Sequence, residues 1–177
     1  EGYWQGANEA APPPPARMVS RVAEAVGGAG ARVERNLPLF SASLGLTGRA
    51  ECVVFPADRG AAPVPVLFRP PAVGAALDDD AQLAAQALCL GEMFDRRVEL
   101  AVVAPLGANG PLREVPVDGQ AEARVKGAVR GVRAFVTAPD RRLPRARLLP
   151  RCATCALHDP CLPELARIPA AARGGAQ

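Results

Sequence analysis

Lysine and histidine are almost absent from this chain. Of its 21 basic residues only Lys126 is a lysine, and His158 is the only histidine. Chemistry that needs two lysines or two histidines cannot run on this chain alone. Aromatic residues make up 4% of it, so aliphatic side chains must fill any core. No apolar run reaches the roughly 18 residues that cross a bilayer, which excludes a spanning helix and argues against a membrane partner. No basic-then-apolar leader opens the chain, so a cytoplasmic protein without a secretory signal is expected. A net charge of +3 is too small by itself to announce nucleic acid. What is present suffices for a packed structure. At 177 residues, 49% apolar and 22% charged, the chain has the size and composition of one domain, 1–177.

The first 30 residues are poor core material and read as an irregular and helical N-terminal part. Pro12 to Pro15 form an extended spacer. Arg17 to Val26, with Met18, Val22 and Val26, is a short amphipathic helix that Gly27-Gly28-Ala29-Gly30 stops. A core is expected over 44–136. Glu51 to Phe55 is a strand candidate between Gly48 and Pro56. Asp58-Arg59-Gly60 is a turn. Val64 to Arg69 is a second strand, which Pro63 and Pro65 push toward a sheet edge or a short pairing. Ala81 to Phe94 is a helix with Asp80 as its N-cap; Leu83, Ala87, Leu90 and Phe94 share one face, beside a stripe of Gln82, Gln86, Cys89 and Met93. Val98 to Ala104 is a third strand. Gln120 to Val136 is a second long helix with Ala121, Val125, Ala128, Val129, Val132 and Phe135 inward. Strands and helices interleave, so the expected class is α/β or α+β.

Charge is concentrated. Arg124, Lys126, Arg130, Arg133, Arg141, Arg142, Arg145, Arg147 and Arg151 share one stretch with a single acid, Asp140. Such a block is the footprint of a phosphate-binding face, and equally of a solvated helix and loop in an arginine-rich composition. It runs into a cysteine cluster. Cys152 and Cys155, two residues apart, can bite one metal from a single turn, and Cys161 closes the loop. Arg151 favours the thiolates. His158, between Cys155 and Cys161, makes a Cys-Cys-His-Cys zinc site a chemical alternative to an iron–sulfur cluster. Cys52, in a strand, and Cys89, on a helix, qualify as further ligands by count only and read as buried structural cysteines. The basic loop and cysteine cluster span 137–165, and 166–177 is a tail.

These residues together resemble a family. The run Leu44-Gly-Leu-Thr-Gly-Arg-Ala-Glu51, the helix Ala81-Gln-Leu-Ala-Ala-Gln-Ala-Leu-Cys-Leu-Gly-Glu-Met-Phe94, and Cys152-Ala-Thr-Cys155 with Cys161-Leu-Pro-Glu164 are similar to the CRISPR-associated RecB-like exonucleases, the fourth Cas family. Arg113-Glu-Val-Pro-Val-Asp118 and Glu1-Gly-Tyr-Trp4 with Asn8 also fit. The resemblance implies a restriction-endonuclease-like PD-(D/E)XK core that cuts DNA ends with a divalent metal and carries a C-terminal cysteine cluster. It also implies a four-iron–four-sulfur cofactor and work beside the CRISPR integrase, trimming spacer precursors and checking the motif that flanks the protospacer. Cys152, Cys155 and Cys161 match three cluster ligands; the fourth has no match in this sequence. Gln82 matches the glutamine of the family's helix.

The catalytic positions depart from that pattern. The family's metal-binding Asp is Glu51 here. The Glu and Lys expected two residues apart on one face of the next strand are Leu67 and Arg69. Leu67 cannot ligate a cation, and a guanidinium does not shuttle protons. Met18, Val19 and Ser20 stand where the family has its upstream His. The resemblance therefore implies a degenerate nuclease site built on Glu51 and Gln82, with cleavage impaired or lost and magnesium or manganese binding in question. DNA would be held by Arg69, Arg113, Arg124, Lys126, Arg130, Arg133, Arg141, Arg142 and Arg145, and the protein would dock with the spacer-acquisition machinery or other Cas proteins. Two alternatives stay open. One is an active metal-dependent exonuclease with a site rearranged around Glu51. The other is a zinc-stabilised interaction module, or a non-catalytic subunit of a CRISPR effector complex that meets guide RNA.

Overall fold

Apolar side chains at helical spacing make the first element. In the computed structural model, which describes residues 14–69, 76–106 and 110–138, helix α1 spans Ala16–Gly27 and buries Val19, Val22 and Ala23. Gly28 ends it at φ 80°, its N–H on the Glu24 carbonyl at 2.9 Å, a left-handed cap that suits glycine. The N-terminal part, expected to be poor core material, thus supplies one wall of the core.

Strands β1 (Arg32–Ser41) and β2 (Leu46–Phe55) form an antiparallel hairpin, paired from Arg32↔Phe55 to Ser41↔Leu46. β2 runs through Gly48 rather than starting after it. β1 was not expected: its charges, Asn36 and Pro38 obscure any alternation. It forms because an edge strand needs only one ladder and little burial; Leu39 and Ser41 are its only buried residues. Asn36 adopts φ 52°, opposite Glu51. On one side of this point Val33 and Val54 pack with α1, and on the other Leu37, Leu39 and Ala50 pack with the next helix. The hairpin therefore rolls across the sheet at Asn36 and Glu51.

Strand β3 (Val64–Arg69) is followed by helix α2 (Ala76–Phe94), β4 (Leu100–Pro105), β5 (Arg113–Pro116) and helix α3 (Gly119–Thr137). The sheet order is β1-β2-β3-β4-β5, so β3 is central and not at an edge. Its prolines are tolerated because the pairing with β2 covers only Cys52↔Val66, Val53↔Pro65 and Val54↔Val64, and the parallel ladder with β4 begins at Val66. No β4 residue pairs with Pro65, so its missing N–H costs that ladder nothing. The short β5 was hidden by its four residues.

Side chains alternate across the sheet into two cores. Val54, Val66, Phe68, Val102 and Ala104 meet α1, and Val53, Leu67, Ala101, Val103 and Val115 meet α2. α2 buries Leu83, Ala87 and Leu90 as its spacing predicts, while Phe94 is exposed. It begins five residues before Ala81, so Asp80 is inside the helix and does not cap it. Asp95, at φ 51°, closes the helix with the Arg96 N–H on the Gly91 carbonyl at 3.0 Å. α3 starts at a working cap, with Asp118 Oδ1 accepting the Ala121 N–H at 2.8 Å. It packs on α2 through Ala84, Ala121 and Val125. Its second half turns inward less than expected: Val129 packs partly buried against that contact, but Ala128 and Val132 are exposed. No helix among the described residues is long and apolar enough to cross a membrane.

The β1–β2 turn is fastened to α2 by one carboxylate. Glu92 accepts from Ser41 Oγ at 2.6 Å, Ser43 Oγ at 2.7 Å, Ala42 N at 2.8 Å and Ser43 N at 3.3 Å. The two hydroxyls, aided by the backbone amides, pull its pKa from 4.5 down to about 2. A carboxyl depressed by folding adds stability above its unfolded pKa, and that stability is lost as pH falls through the folded value. The stability gap between wild type and Glu92→Gln is therefore expected to be constant above about pH 5 and to close between about pH 4.5 and 2. Urea midpoints across that range test it; a gap that does not narrow in acid would contradict the bonding described.

Candidate functional site

The positions singled out by sequence meet where β2 parts from β3. The last β2–β3 pair is Cys52↔Val66. Just beyond it, Glu51 Oε2 accepts the Phe68 N–H at 3.3 Å, which brings the carboxylate beside the backbone between Leu67 and Arg69. Leu67 and Arg69 lie two residues apart on the α2 side of the sheet.

Their chemistry is that of a core and a clamp. Leu67 is 2% exposed, packed with Val53, Val103 and Leu83. Arg69 has every nitrogen engaged: Nε donates to Asp79 Oδ1 at 2.8 Å, Nη2 to Gln82 Oε1 at 3.2 Å, and Nη1 to the Phe68 carbonyl at 3.5 Å. Beside it Arg113 Nη1 donates to Asp80 Oδ1 at 2.6 Å. Asp79 and Asp80 thus tie α2 to β3 and β5, and Asp80 does so in place of the N-cap role its sequence position suggests. Asp79 is buried, an unexpected place for a carboxylate that only its arginine explains. Gln86, one turn after Gln82, is also buried; its Nε2 reaches the Arg49 carbonyl at 3.4 Å and its Oε1 has no partner.

This donor set does not fit a catalytic divalent ion. Such an ion needs at least two converging oxygens. Leu67 supplies none, and Asp79 and Asp80 are each neutralised by an arginine. Among the described residues no group of three or more His, Cys, Asp or Glu could hold a metal. No cleavage step can be derived from these side chains.

The basic residues separate into two sets. Lys126, Arg130 and Arg133 follow one another at i, i+4 and i+3 spacing along one exposed stripe of α3, whereas Arg124 lies on another face. Lys126 pairs with Glu122, Arg124 Nη1 reaches Gln120 Oε1 at 3.5 Å, and Arg133 Nη2 donates to the Leu44 carbonyl at 2.6 Å. Arg141, Arg142 and Arg145 lie outside the described residues, as do Cys152, Cys155, His158 and Cys161. Cys52 and Cys89 are free and buried, in opposite cores. Burial pushes the Cys52 thiol up to about 11 and raises Cys89 as well. Thiols held protonated in apolar surroundings behave as packing groups, not ligands.

Sequence reasoning missed the Arg69–Asp79 and Arg113–Asp80 pairs. The run of three acids at 78–80 is their only signal in the sequence. Compared with known proteins, the chain matches no family model and no curated protein.

Proposed function

We propose that this chain holds DNA on a restriction-endonuclease-like scaffold without cutting it, and acts as a docking subunit in CRISPR spacer acquisition, in prespacer processing or selection of the flanking motif. One observation carries the non-cleaving part: the position that would hold the second metal-binding acid is the buried Leu67, while the position of the general-base lysine is an arginine tied to Asp79 and Gln82. The DNA-holding part rests on the Lys126, Arg130 and Arg133 stripe, three cations on one exposed helix face, of which Lys126 would exchange its Glu122 partner for a phosphate. The assembly rests on the sequence resemblance.

Binding to a short DNA duplex, measured by filter retention at graded salt, tests this. Affinity is expected to fall linearly with salt on logarithmic axes, each lost phosphate contact reducing the slope by about 1. The triple variant Lys126→Ala, Arg130→Ala, Arg133→Ala is expected to flatten it by up to about 3. With manganese no strand should shorten. Salt-independent binding, or none, removes the DNA-holding reading. Manganese-dependent cutting that Glu51→Gln abolishes replaces it with an active exonuclease. Co-elution with the integrase on size exclusion tests the docking.

A further inference from the structure

We propose that a cavity at the far end of β3 from Arg69 binds a phosphorylated nucleotide, either free or at the end of a strand. The cavity has a volume of about 520 Å³ and opens where β2 exits the sheet. That volume lies within the usual range for small-molecule sites and exceeds what a bare phosphate needs.

Its lining combines planar groups with cations. Phe55 and Phe94 meet edge to face, with centroids 5.2 Å apart at 74°. The Arg32 guanidinium lies over the Phe55 ring, 4.3 Å from its centroid. Phe94 is 38% exposed, an unusual position for one of few aromatic residues, and it offers a flat apolar wall against which a base can stack.

Three arginines and one acid face this space: Arg32, Arg59, Arg96 and Asp58. Arg32 is paired with Glu34. Asp58 Oδ1 takes the Gly60 N–H at 2.8 Å, and its carbonyl takes the Ala61 N–H at 3.1 Å, so the turn that carries Arg59 is formed in advance. Arg59 has no ion-pair partner among the described residues. Arg96 donates to the Gly60 carbonyl from Nη1 alone, leaving most of its five N–H groups for a ligand. Two uncompensated guanidiniums beside an exposed ring match a phosphate joined to a planar base. An acidic peptide would meet the charge but leave the ring unused.

Isothermal titration with adenosine 5′-monophosphate, a 5′-phosphorylated trinucleotide, adenosine and inorganic phosphate tests the site. The two phosphorylated nucleotide probes are expected to bind at least about tenfold more tightly than adenosine or phosphate, because only they engage both ring and arginines. Arg59→Ala and Phe94→Ala are each expected to weaken the monophosphate about tenfold, and Arg17→Ala, on the exposed start of α1, to leave it unchanged. Both replaced side chains are exposed, and far-ultraviolet circular dichroism checks that the fold persists. Equal affinity for the monophosphate and the trinucleotide assigns a free nucleotide, and tighter trinucleotide binding assigns a strand end; either supports the site. Absence of binding at millimolar monophosphate overturns it, as does phosphate binding as tightly as the nucleotide or insensitivity to Arg59→Ala. Because Arg69 and the α3 stripe take no part, failure here leaves the DNA-holding proposal standing, and the reverse also holds.

Discussion

Leu67→Glu is expected to destabilise the protein severely at neutral pH instead of restoring a metal site. The side chain is 2% exposed and belongs to the core between the sheet and α2. Truncating a buried leucine to alanine costs about 2–5 kcal/mol. Glutamate loses the same apolar contacts and adds a carboxyl that must stay neutral or find a partner. The nearest cation is Arg69, already held by Asp79 and Gln82, and Glu51 is close enough to repel. A loss of about 5 kcal/mol at pH 7 would remove a third or more of a typical domain's stability. The pH dependence separates the two causes. A buried glutamic acid has a folded pKa above its unfolded value, so its ionisation penalty is absent below about pH 4 and grows as pH rises toward the folded pKa. Urea midpoints of Leu67→Glu and Leu67→Ala should converge in acid and separate at neutrality. A Leu67→Glu protein as stable as wild type, and further stabilised by manganese, would mean that this position is a dormant ligand site and not a core position.

Gly27→Val is expected to cost about 3 kcal/mol, against the usual benefit of removing a helical glycine. An ordinary exchange of glycine for alanine inside a helix gains about 1 kcal/mol from propensity. Here a Cβ would lie 2.7 Å from Ala31 Cβ, 2.8 Å from Val54 Cγ1 and 3.1 Å from Pro56 Cα. None of these is the loose end of a long side chain, so backbone must move. Overpacking of this kind costs about 1–3 kcal/mol, and the two further methyls of valine sharpen it. Gly27→Ala should fall between, with propensity and crowding nearly cancelling. Thermal midpoints of the three proteins in the order wild type, alanine, valine test the closeness of α1 to β2; a valine variant with an unchanged midpoint would contradict it.

Much of the architecture could be read from local pattern. Val64 to Arg69, Val98 to Ala104 and the apolar faces of α1 and α2 announced themselves because each buries a repeating set of aliphatic side chains. The elements that stayed hidden are those held by their neighbours. β1 carries Arg32, Glu34, Arg35 and Pro38 and is a strand only because β2 offers it a ladder; β5 is too brief to show a period. Asp80 looks like a cap for the same reason: a carboxylate near a helix start reads as one unless the arginine that claims it, thirty-three residues away, is known. At the candidate site the grouping of Glu51, Leu67 and Arg69 came from the family resemblance and not from the spacing of the residues themselves. The state of Arg69, engaged on every nitrogen, was legible from neither, because it depends on where α2 begins.

The outermost strand has a bearing on how molecules of this protein meet one another. Among the described residues one side of β1 has no strand beside it, and an open row of amides and carbonyls invites pairing from a neighbouring molecule. Arg32, Glu34 and Arg35 put opposite charges along that row, Asn36 bends it at φ 52°, and Pro38 removes a donor. A strand approaching from another copy finds no long, straight, uncharged stretch to zip onto, which makes this edge a poor template for intermolecular pairing.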